Sequence, residues 1–402
     1  MKTEKTAKSF ITLSLTAAAS LSKKKKSFNG APCSLRATAC SITIPAEMRI
    51  KALKNGKKVF VGLSGGVDSS VAALLLQKEG YEVVGVHLRC WNQGGCDEKE
   101  AEDARRVAGV LGIPFYVFNL EKEYKEAVVD YMIDGYRRGL TPNPDVMCNK
   151  EVKFGLFLKR ALELGADYVA TGHYVYKTET ADGTQLWAAK DKNKDQSYFL
   201  WTLTSDQLRH SLFPLGRLTK PQVRKIAAKN KLPTAAKKDS QGICFLGQVS
   251  LDDFLGAYLP ERAGAVVNAK GERIGSHRGV QFYTVGQRHG LAIPGQKPYY
   301  IAGKNADSNE ITVVEEAGDP IALSKELELV DVNFIDRNYA EKEKFSALVR
   351  TRYRQELRPA EIEKKEGGTV LVFDSPQSFI APGQSAVFYT ARGKMIGGGT
   401  IV

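Results

Sequence analysis

The segment Ser64–Ser70, with the sequence SGGVDSS, constrains the fold of this chain more than any other part. It follows an apolar run at residues 59–63 and opens a run with helical character at residues 70–77. A strand followed by a glycine turn and the start of a helix is a good phosphate-binding arrangement. Glycines let an anion approach the backbone, and the first N–H groups of the helix have no intrahelical partners. We expect the acid and serines after the glycines to cap this helix.

The glycine segment lacks the Gly-Lys-Ser/Thr ending of a Walker A sequence, so it places no lysine where a γ-phosphate would bind. It resembles the PP-loop of ATP pyrophosphatases, which release pyrophosphate and leave AMP on a carbonyl oxygen. The alternative is a strand–helix turn that simply needs glycines. Two glycines alone would favour that alternative, whereas the added acid and serines favour nucleotide binding.

Length indicates a multidomain protein, and the net charge is compatible with a polyanionic partner, although many proteins carry such an excess by chance. The 402 residues suffice for two or three domains, and the net charge is +13. Residues 1–46 carry +7 of that charge, which leaves +6 for residues 47–402, an excess that suits RNA. No apolar run approaches about 18 residues, so we expect no membrane association. The six cysteines include no Cys-x-x-Cys pair, which argues against a disulfide framework or a zinc ribbon.

The first 46 residues have the composition of a transit peptide, with many Lys, Ser, Thr and Ala residues and one acid. An apolar stretch at residues 10–19 could also act in a secretory or bipartite plastid address. A disordered basic tail is the alternative. We predict a plastid (chloroplast) location, because the scarcity of arginine in this segment argues against a mitochondrion, which is the alternative.

Strand-like and helix-like segments alternate through the first half of the chain after the leader. We predict strands at 59–63, 83–88, 115–118 and 168–170, and helices at 70–77, 98–111, 124–136 and 151–164. This alternation predicts an α/β fold, a doubly wound parallel sheet with helices on both faces. Ligands of such sheets bind beyond the carboxyl ends of the strands.

Beyond residue 248 the pattern becomes mainly β. We predict strands at 280–285, 299–302, 310–314, 345–352, 369–373, 385–389 and 394–402. Short strands at this spacing indicate a small, mostly β central domain and then a C-terminal β-barrel. The predicted divisions are a targeting segment at 1–46, a PP-loop catalytic domain at 47–248, a central domain at 249–320 and a barrel at 321–402.

A proline-rich segment at residues 141–150 is the second candidate site. We expect Pro142 and Pro144 to impose an extended path that holds Asp145 and Cys148 on a loop before the helix at residue 151. Lysines near a helix start favour a thiolate, and Asp145 could transfer a proton. The alternative is a buried structural cysteine.

Two further segments have functional and structural interpretations. Cys244 is flanked by apolar residues and bracketed by glycines, which fits either a core strand or a loop that swings. Arg350, Arg352 and Arg354 recur at period two, so in a strand they would share one face and leave Tyr353 on the other for stacking on a base. A solvated, charged strand edge is the alternative for the arginines.

The glycine segment and the two cysteines together suggest a reaction pathway. ATP would activate a carbonyl oxygen as an adenylate, so that AMP becomes the leaving group. A sulfur nucleophile would then attack the activated carbon. Two thiols suit such chemistry, because one can carry the sulfur while the other resolves the resulting bond as a disulfide.

At these residues the chain resembles the tRNA-specific 2-thiouridylase family of bacterial and organellar type. The resemblance runs in order from about residue 57 to the C-terminus. It rests on the segments SGGVDSS at 64–70, TPNPD at 141–145, CNKE at 148–151, ATGHY at 170–174, KDQSYF at 194–199, GICF at 242–245, GQR at 286–288, TRYRQ at 351–355 and PGQSAVF at 382–388.

The resemblance implies a role for each matched residue. Cys244 would carry the sulfur as a persulfide to C2 of the wobble uridine, Cys148 would release the product by forming a disulfide, and Asp145 would be the acid/base. The implied ATP contacts are Gly62, Leu63, Ser64, Gly65, Gly66, Val67, Asp68, Ser69, Leu88 and Gly172. The implied tRNA contacts are Asn143, Pro144, Asp145, His173, Lys194, Asp195, Gln196, Arg352, Tyr353 and Gln384.

The resemblance also implies partners. We expect the chain to use ATP with Mg²⁺ and to bind a tRNA anticodon stem-loop. We also expect that a second protein donates persulfide sulfur and that the enzyme is a monomer. An iron–sulfur cluster held partly by the two cysteines is an open alternative to the persulfide. Two rival functions are an amide-forming PP-loop ligase, which gives neither cysteine a task, and a tRNA-binding protein that has lost catalysis.

Overall fold

A computed structural model describes residues 56–91, 96–181, 183–239, 249–291, 293 and 298–402. Cys244 and the predicted targeting segment 1–46 lie outside these described residues. Within the described ranges, none of the helices has both the length and the apolar character needed to span a lipid bilayer.

The first part of the chain forms a five-stranded sheet and a separate hairpin. The strands are β1 (Lys58–Gly62), β2 (Glu82–Arg89), β3 (Phe115–Asn119), β4 (Tyr168–Ala170), β5 (Val175–Thr180), β6 (Gly183–Ala188) and β7 (Ser211–Leu212). The sheet has the order β3-β2-β1-β4-β7 and every neighbouring pair is parallel, whereas β5 and β6 form the antiparallel hairpin.

Helices cover both faces of the parallel sheet. They are α1 (Val67–Lys78), α2 (Cys96–Leu111), α3 (Glu121–Tyr124), α4 (Asp130–Arg137), α5 (Pro144–Met147), α6 (Phe157–Glu163), α7 (Ser205–Arg209) and α8 (Lys220–Lys229). Val59 and Val61 of β1 pack with α1 and α2 residues on one face, whereas Phe60 packs with Phe157 of α6 on the other. This confirms the predicted doubly wound α/β fold, since alternate side chains of one buried strand serve two cores.

The central part of the chain is mainly β and packs on the helices that precede it. It contains α9 (Leu251–Gly256), β8 (Gly264–Val267), β9 (Arg273–His277), β10 (Tyr300–Asn305) and β11 (Glu310–Val314), with the sheet order β10-β11-β8-β9. Phe254, Phe282 and Ile301 share one buried cluster with Tyr124 and Met132. The strand predicted at 280–285 is wrong, because Val280–Phe282 forms a 3₁₀ turn that inserts Phe282 into this cluster.

The last part of the chain closes into the predicted barrel. Its elements are β12 (Leu323–Phe334), α10 (Arg337–Ala340), β13 (Lys344–Arg350), β14 (Arg358–Lys365), β15 (Gly368–Ser378), β16 (Ser385–Tyr389) and β17 (Met395–Ile401). The strands follow the closed order β12-β15-β14-β13-β16-β17. Sequence analysis missed β12 and β14, although buried Leu327 and Leu329 alternate with exposed Glu326 and Glu328 in β12.

The barrel is joined to the first part of the chain by buried polar contacts. The Tyr198 hydroxyl donates to the Ser385 carbonyl at 3.0 Å, and the Trp201 indole donates to the Ser385 hydroxyl at 2.9 Å. The Asn333 amide donates to the carbonyls of Trp201 at 2.6 Å and Leu203 at 3.0 Å. Each of these buried groups has its hydrogen-bond partner in the other part of the chain, which fixes the barrel against the α/β part.

Replacement of Gly397 in β17 should test how tightly this barrel strand is packed. A Cβ at Gly397 would lie 2.1 Å from the Asn333 carbonyl oxygen, so Gly397→Ala forces the two strands apart. We expect the free energy of unfolding in urea to fall by about 1–3 kcal/mol. Gly318→Ala is the matched control, since a Cβ there meets no atom within 4 Å. Equal stability of the two variants would contradict this packing.

Candidate active site

The glycine segment forms a tight backbone turn between β1 and α1, which we call the cradle. Gly65 has a φ of +68°, and a Cβ there would lie 2.4 Å from the Glu100 carbonyl oxygen, so only glycine fits without strain. Gly66 is the N-cap of α1 and, as a glycine, has no side chain that could cap the helix. The predicted capping role of Asp68 and the serines is wrong, because these residues lie inside the helix and Ser70 Oγ instead donates to the Gly66 carbonyl at 2.7 Å.

A second loop closes on this cradle from the neighbouring strand. Gly172 follows β4, and a Cβ on it would lie 2.7 Å from the Ser69 backbone nitrogen. β1 has β2, the next strand along the chain, on one side and β4 on the other. The cradle follows β1 and therefore lies at the point where the strand order reverses, which is where ligands of such sheets bind. Leu88 extends β2 beyond the end of β1 on the opposite side. The structure thus gathers the predicted ATP residues at one edge of the sheet.

A network of charged side chains borders the cradle. Lys220 Nζ donates to both carboxylate oxygens of Asp68 at 2.8 Å and forms an ion pair with Asp239 Oδ1 at 2.8 Å. The Tyr174 hydroxyl donates to Asp68 at 2.7 Å. Burial and the negative charge of Asp68 raise the pKa of Tyr174 well above its ordinary value, so its hydroxyl remains a donor. Sequence reasoning missed Lys220 as a site residue, because 152 positions separate it from Asp68.

Asp239 joins this network to two further cations. It accepts hydrogen bonds from Lys194 and Arg224, each at 2.6 Å, in addition to its ion pair with Lys220. Burial opposes ionisation, but hydrogen bonds from Lys194 and Lys220 lower the pKa of Asp239 to about 2. Asp239 therefore stays charged at neutral pH and holds three basic side chains together.

His173 follows Gly172 and is buried beside the cradle. Its Nδ1 lies 2.7 Å from the Thr171 hydroxyl, and its ring centroid lies 5.9 Å from that of Phe154. Burial, with a smaller effect from the charge of Lys153, lowers the pKa of His173 well below its ordinary value. His173 is consequently neutral at pH 7 and can contribute a hydrogen bond but no positive charge.

Asp145 and Cys148 lie in a helix, so the prediction that they lie on a loop before it is wrong. Asn143 caps this helix by accepting a hydrogen bond from the Val146 N–H at 3.3 Å, and Pro144 fits the first helical position because its fixed φ is helical. The helix continues through a π-helical stretch, Cys148–Leu156, into α6. Cys148 is only 3% exposed. π-Helical turns are frequent at functional sites.

The barrel fixes the chain just before this helix. The Gln384 amide donates to the Thr141 carbonyl at 2.8 Å, and the Thr141 N–H donates to the Pro382 carbonyl at 2.8 Å. Gly383 has a φ of +88°, and its Cβ position lies 3.1 Å from the Thr141 backbone. Gln384 thus holds the start of the candidate catalytic helix, while its predicted contact with tRNA stays a prediction.

The segment Lys194-Asp195-Gln196 is anchored by its own hydrogen bonds. Asp195 accepts bonds from the N–H groups of Ala189 and Ser197 at 3.1 Å. The Gln196 side-chain carbonyl accepts from the Tyr174 N–H at 3.0 Å. Asp195, 3% exposed, also lies 3.7 Å from an Arg350 guanidinium nitrogen. These contacts tie the edge of the cradle to the barrel.

The predicted row of arginines is wrong because β13 ends at Arg350. The chain turns immediately afterwards, and Arg354 adopts a φ of +65°. Arg352 Nη2 donates to the carbonyls of Val285 and Phe379, so it links the barrel to the central part of the chain. The Tyr353 ring lies 4.5 Å from the Phe199 ring. The contacts of Arg352 and Tyr353 with tRNA stay predictions.

Comparisons with known proteins agree along the whole described chain. Family models match in order: a tRNA methyl transferase HUP domain at residues 57–248, a tRNA methyl transferase PRC-barrel domain at 252–315 and an aminomethyltransferase beta-barrel domain at 324–401. The tRNA-specific 2-thiouridylase MnmA of Psychromonas ingrahamii is 45% identical over 344 residues, which are 83% of this chain and 94% of that protein. The protein of the same name from Tolumonas auensis is 45% identical over 86% of this chain and 96% of its own length.

Replacement of Gly172 should test the approach of the two loops. In Gly172→Ala the new Cβ would press on the Ser69 nitrogen and displace the start of α1. We expect ATP to bind at least about tenfold more weakly by calorimetry, since small displacements of binding groups are costly. Gly109→Ala in α2 is the control, because its Cβ would meet no atom within 4 Å. Unchanged ATP affinity in Gly172→Ala would show that the cradle does not bind the nucleotide.

The low pKa of Asp239 predicts a dependence of stability on pH. A carboxyl group whose pKa is lowered by folding stabilises the protein above its unfolded pKa of about 4, and this effect is lost as the pH falls toward 2. We expect Asp239→Asn to lower the free energy of unfolding by about 1–2 kcal/mol at pH 7 and by progressively less below pH 4. Urea unfolding across this range is the measurement. A constant difference at all pH values would contradict the ion-pair network, and Asp307→Asn in an exposed turn is the control.

Proposed function

Because this chain belongs to the tRNA-specific 2-thiouridylase family, we propose that it replaces the C2 oxygen of the wobble uridine of tRNA by sulfur in an ATP-dependent reaction. The observation that carries this proposal is the cradle, in which Gly65 and Gly172 pack so closely against backbone that neither has room for a side chain, and Gly66 immediately precedes the first N–H groups of α1. Such a cradle suits the phosphates of ATP. The family relationship supplies the acceptor, a tRNA uridine.

The first step is adenylation of the uridine. The C2 oxygen attacks the α-phosphorus of ATP, the bond to the β-phosphate breaks, and pyrophosphate leaves. The cradle residues Gly62, Leu63, Ser64, Gly65, Gly66, Val67, Asp68 and Ser69, with Leu88 and Gly172, would hold the nucleotide. Asp145, in the first turn of a capped helix, would move the proton of the uridine during activation.

The second step transfers sulfur. The terminal sulfur of a Cys244 persulfide attacks C2, and AMP leaves with the original oxygen. The Cys148 thiolate then attacks Cys244 Sγ, which breaks the S–S bond, leaves the sulfur on C2 and forms a Cys148–Cys244 disulfide. A thiol reductant must return this disulfide to two thiols before the next cycle. An iron–sulfur cluster shared by these cysteines is the alternative sulfur route.

The tRNA would bind where the barrel meets two other parts of the chain. These are the helix that contains Asp145 and Cys148 and the segment Lys194-Asp195-Gln196. The proposed contacts are Asn143, Pro144, Asp145, His173, Lys194, Asp195, Gln196, Arg352, Tyr353 and Gln384. Since several of these side chains are engaged in protein contacts, tRNA binding would exchange some of those contacts for bonds to the anticodon. A Mg²⁺ ion would accompany the ATP phosphates and would neutralise charge on the departing pyrophosphate.

The remaining partners are proposals of the same kind. A separate protein would deliver persulfide sulfur to Cys244, and the enzyme would act as a monomer. Residues 1–46 would direct the protein to a plastid, with the mitochondrion as the alternative. The divisions at residues 46, 248 and 320 remain our proposed domain boundaries.

Serine substitution of the two cysteines should separate the two steps. We expect Cys148→Ser and Cys244→Ser each to lower 2-thiouridine formation by about three orders of magnitude or more, while tRNA-dependent pyrophosphate release continues. Mass spectrometry of anticodon nucleosides and a pyrophosphate assay are the measurements. Cys90→Ser is the control and should retain both activities.

The same assays discriminate the alternatives. Undiminished turnover in both serine variants would indicate an amide-forming ligase, and the absence of pyrophosphate release with tRNA would indicate a tRNA-binding relative without catalysis. A methylated nucleoside in place of a thiolated one would indicate tRNA methyl transfer, the activity after which the matching HUP and PRC-barrel domain families are named. Any of these results would contradict the proposed thiolation.

A further inference from the structure

Asp68 places a negative charge beside the anion cradle. It is the second residue of α1, beside the backbone N–H groups that would meet a phosphate, and its side chain is 31% exposed. A carboxylate at this position stabilises the helix through its dipole but repels an incoming polyanion. A positive charge paired with Asp68 would offset this repulsion.

Lys220 supplies that positive charge. Its Nζ is 2.8 Å from each Asp68 oxygen, and among the described residues it is the cation that forms an ion pair with Asp68. The Lys220 side chain is 11% exposed, so solvent screens the pair less than a surface pair. The position of Lys220 at the first turn of α8 is fixed by its own N–H, which donates to Asp191 at 2.8 Å.

The other carboxylate bound by Lys220 has further cationic partners. Asp239 also accepts hydrogen bonds from Lys194 and Arg224 at 2.6 Å. Removal of the Lys220 charge would leave Asp239 with two cations, whereas Asp68 would keep only the neutral Tyr174 hydroxyl among its described partners. The electrostatic consequence of losing Lys220 is thus concentrated at the cradle.

We propose that Lys220 is a positioning residue of the nucleotide site, which neutralises Asp68 so that the glycine cradle accepts the β- and γ-phosphates of ATP and the pyrophosphate that they become. This inference rests on the proposed function for the identity of the anion. It does not depend on the sulfur-transfer step, so the two can fail separately.

Binding of inorganic pyrophosphate to the full chain, without added Mg²⁺, tests the inference by calorimetry. We expect Lys220→Met to weaken binding at least about tenfold, because an uncompensated carboxylate then faces the anion. Lys220→Arg keeps the charge and should bind within about threefold of wild type. Lys225→Met, an exposed position on α8, is the matched control and should bind like wild type.

The double variant Asp68→Asn/Lys220→Met decides between neutralisation and the alternatives. If Lys220 acts by neutralising Asp68, removal of both charges restores pyrophosphate affinity to within about threefold of wild type. A double variant that binds as weakly as Lys220→Met would overturn the inference, because Lys220 would then contact the anion itself or merely maintain the fold. Wild-type protein that does not bind pyrophosphate would overturn it as well.

Formation of 2-thiouridine is measured independently of pyrophosphate binding. If the chain fails to make 2-thiouridine but shows this pattern of pyrophosphate affinities, the proposed function fails and the role of Lys220 stands. If the chain makes 2-thiouridine and Lys220→Met binds pyrophosphate like wild type, the role of Lys220 fails and the function stands.

Discussion

The structure depends on the close approach of two loops at the carboxyl edge of the parallel sheet. The loop after β4 contacts the start of α1 so closely that Gly172 has no room for a side chain. Parallel pairing of β1 with β4 brings about this approach, and α1 carries Asp68 and its ion pair into the same place. The position of α1 and of the charges around its first turn therefore depends on one backbone contact.

The barrel is part of the active-site architecture, although it contributes no residue to the cradle itself. Gln384 and Pro382 bind the backbone of Thr141, just before the helix that contains Asp145 and Cys148. Buried bonds between Tyr198, Trp201 and the barrel hold the two parts in register. Because buried polar groups that lose a partner are costly, the barrel and the catalytic sheet should move as one body.

Local sequence patterns identified the elements whose periodicity is strong. The glycine cradle and the buried strands β1, β2 and β4 were predicted nearly to the residue, since a continuous apolar run bounded by glycine has few alternatives. Pro144 was misinterpreted because proline is as well suited to the first turn of a helix as to an extended path. Arg352 was placed in a strand that ends two residues earlier, since the turn after Arg350 carries no glycine or proline.

The sequence by itself determined the fold class, the glycine cradle and the set of candidate catalytic residues, because each depends on neighbours within a few positions. Only the tertiary structure decided which charges meet. Lys220 lies 152 positions from Asp68 along the chain, yet its Nζ is 2.8 Å from a carboxylate oxygen of Asp68 and 2.8 Å from one of Asp239. Electrostatic interaction depends on distance in space, so sequence order contains no direct information about this network.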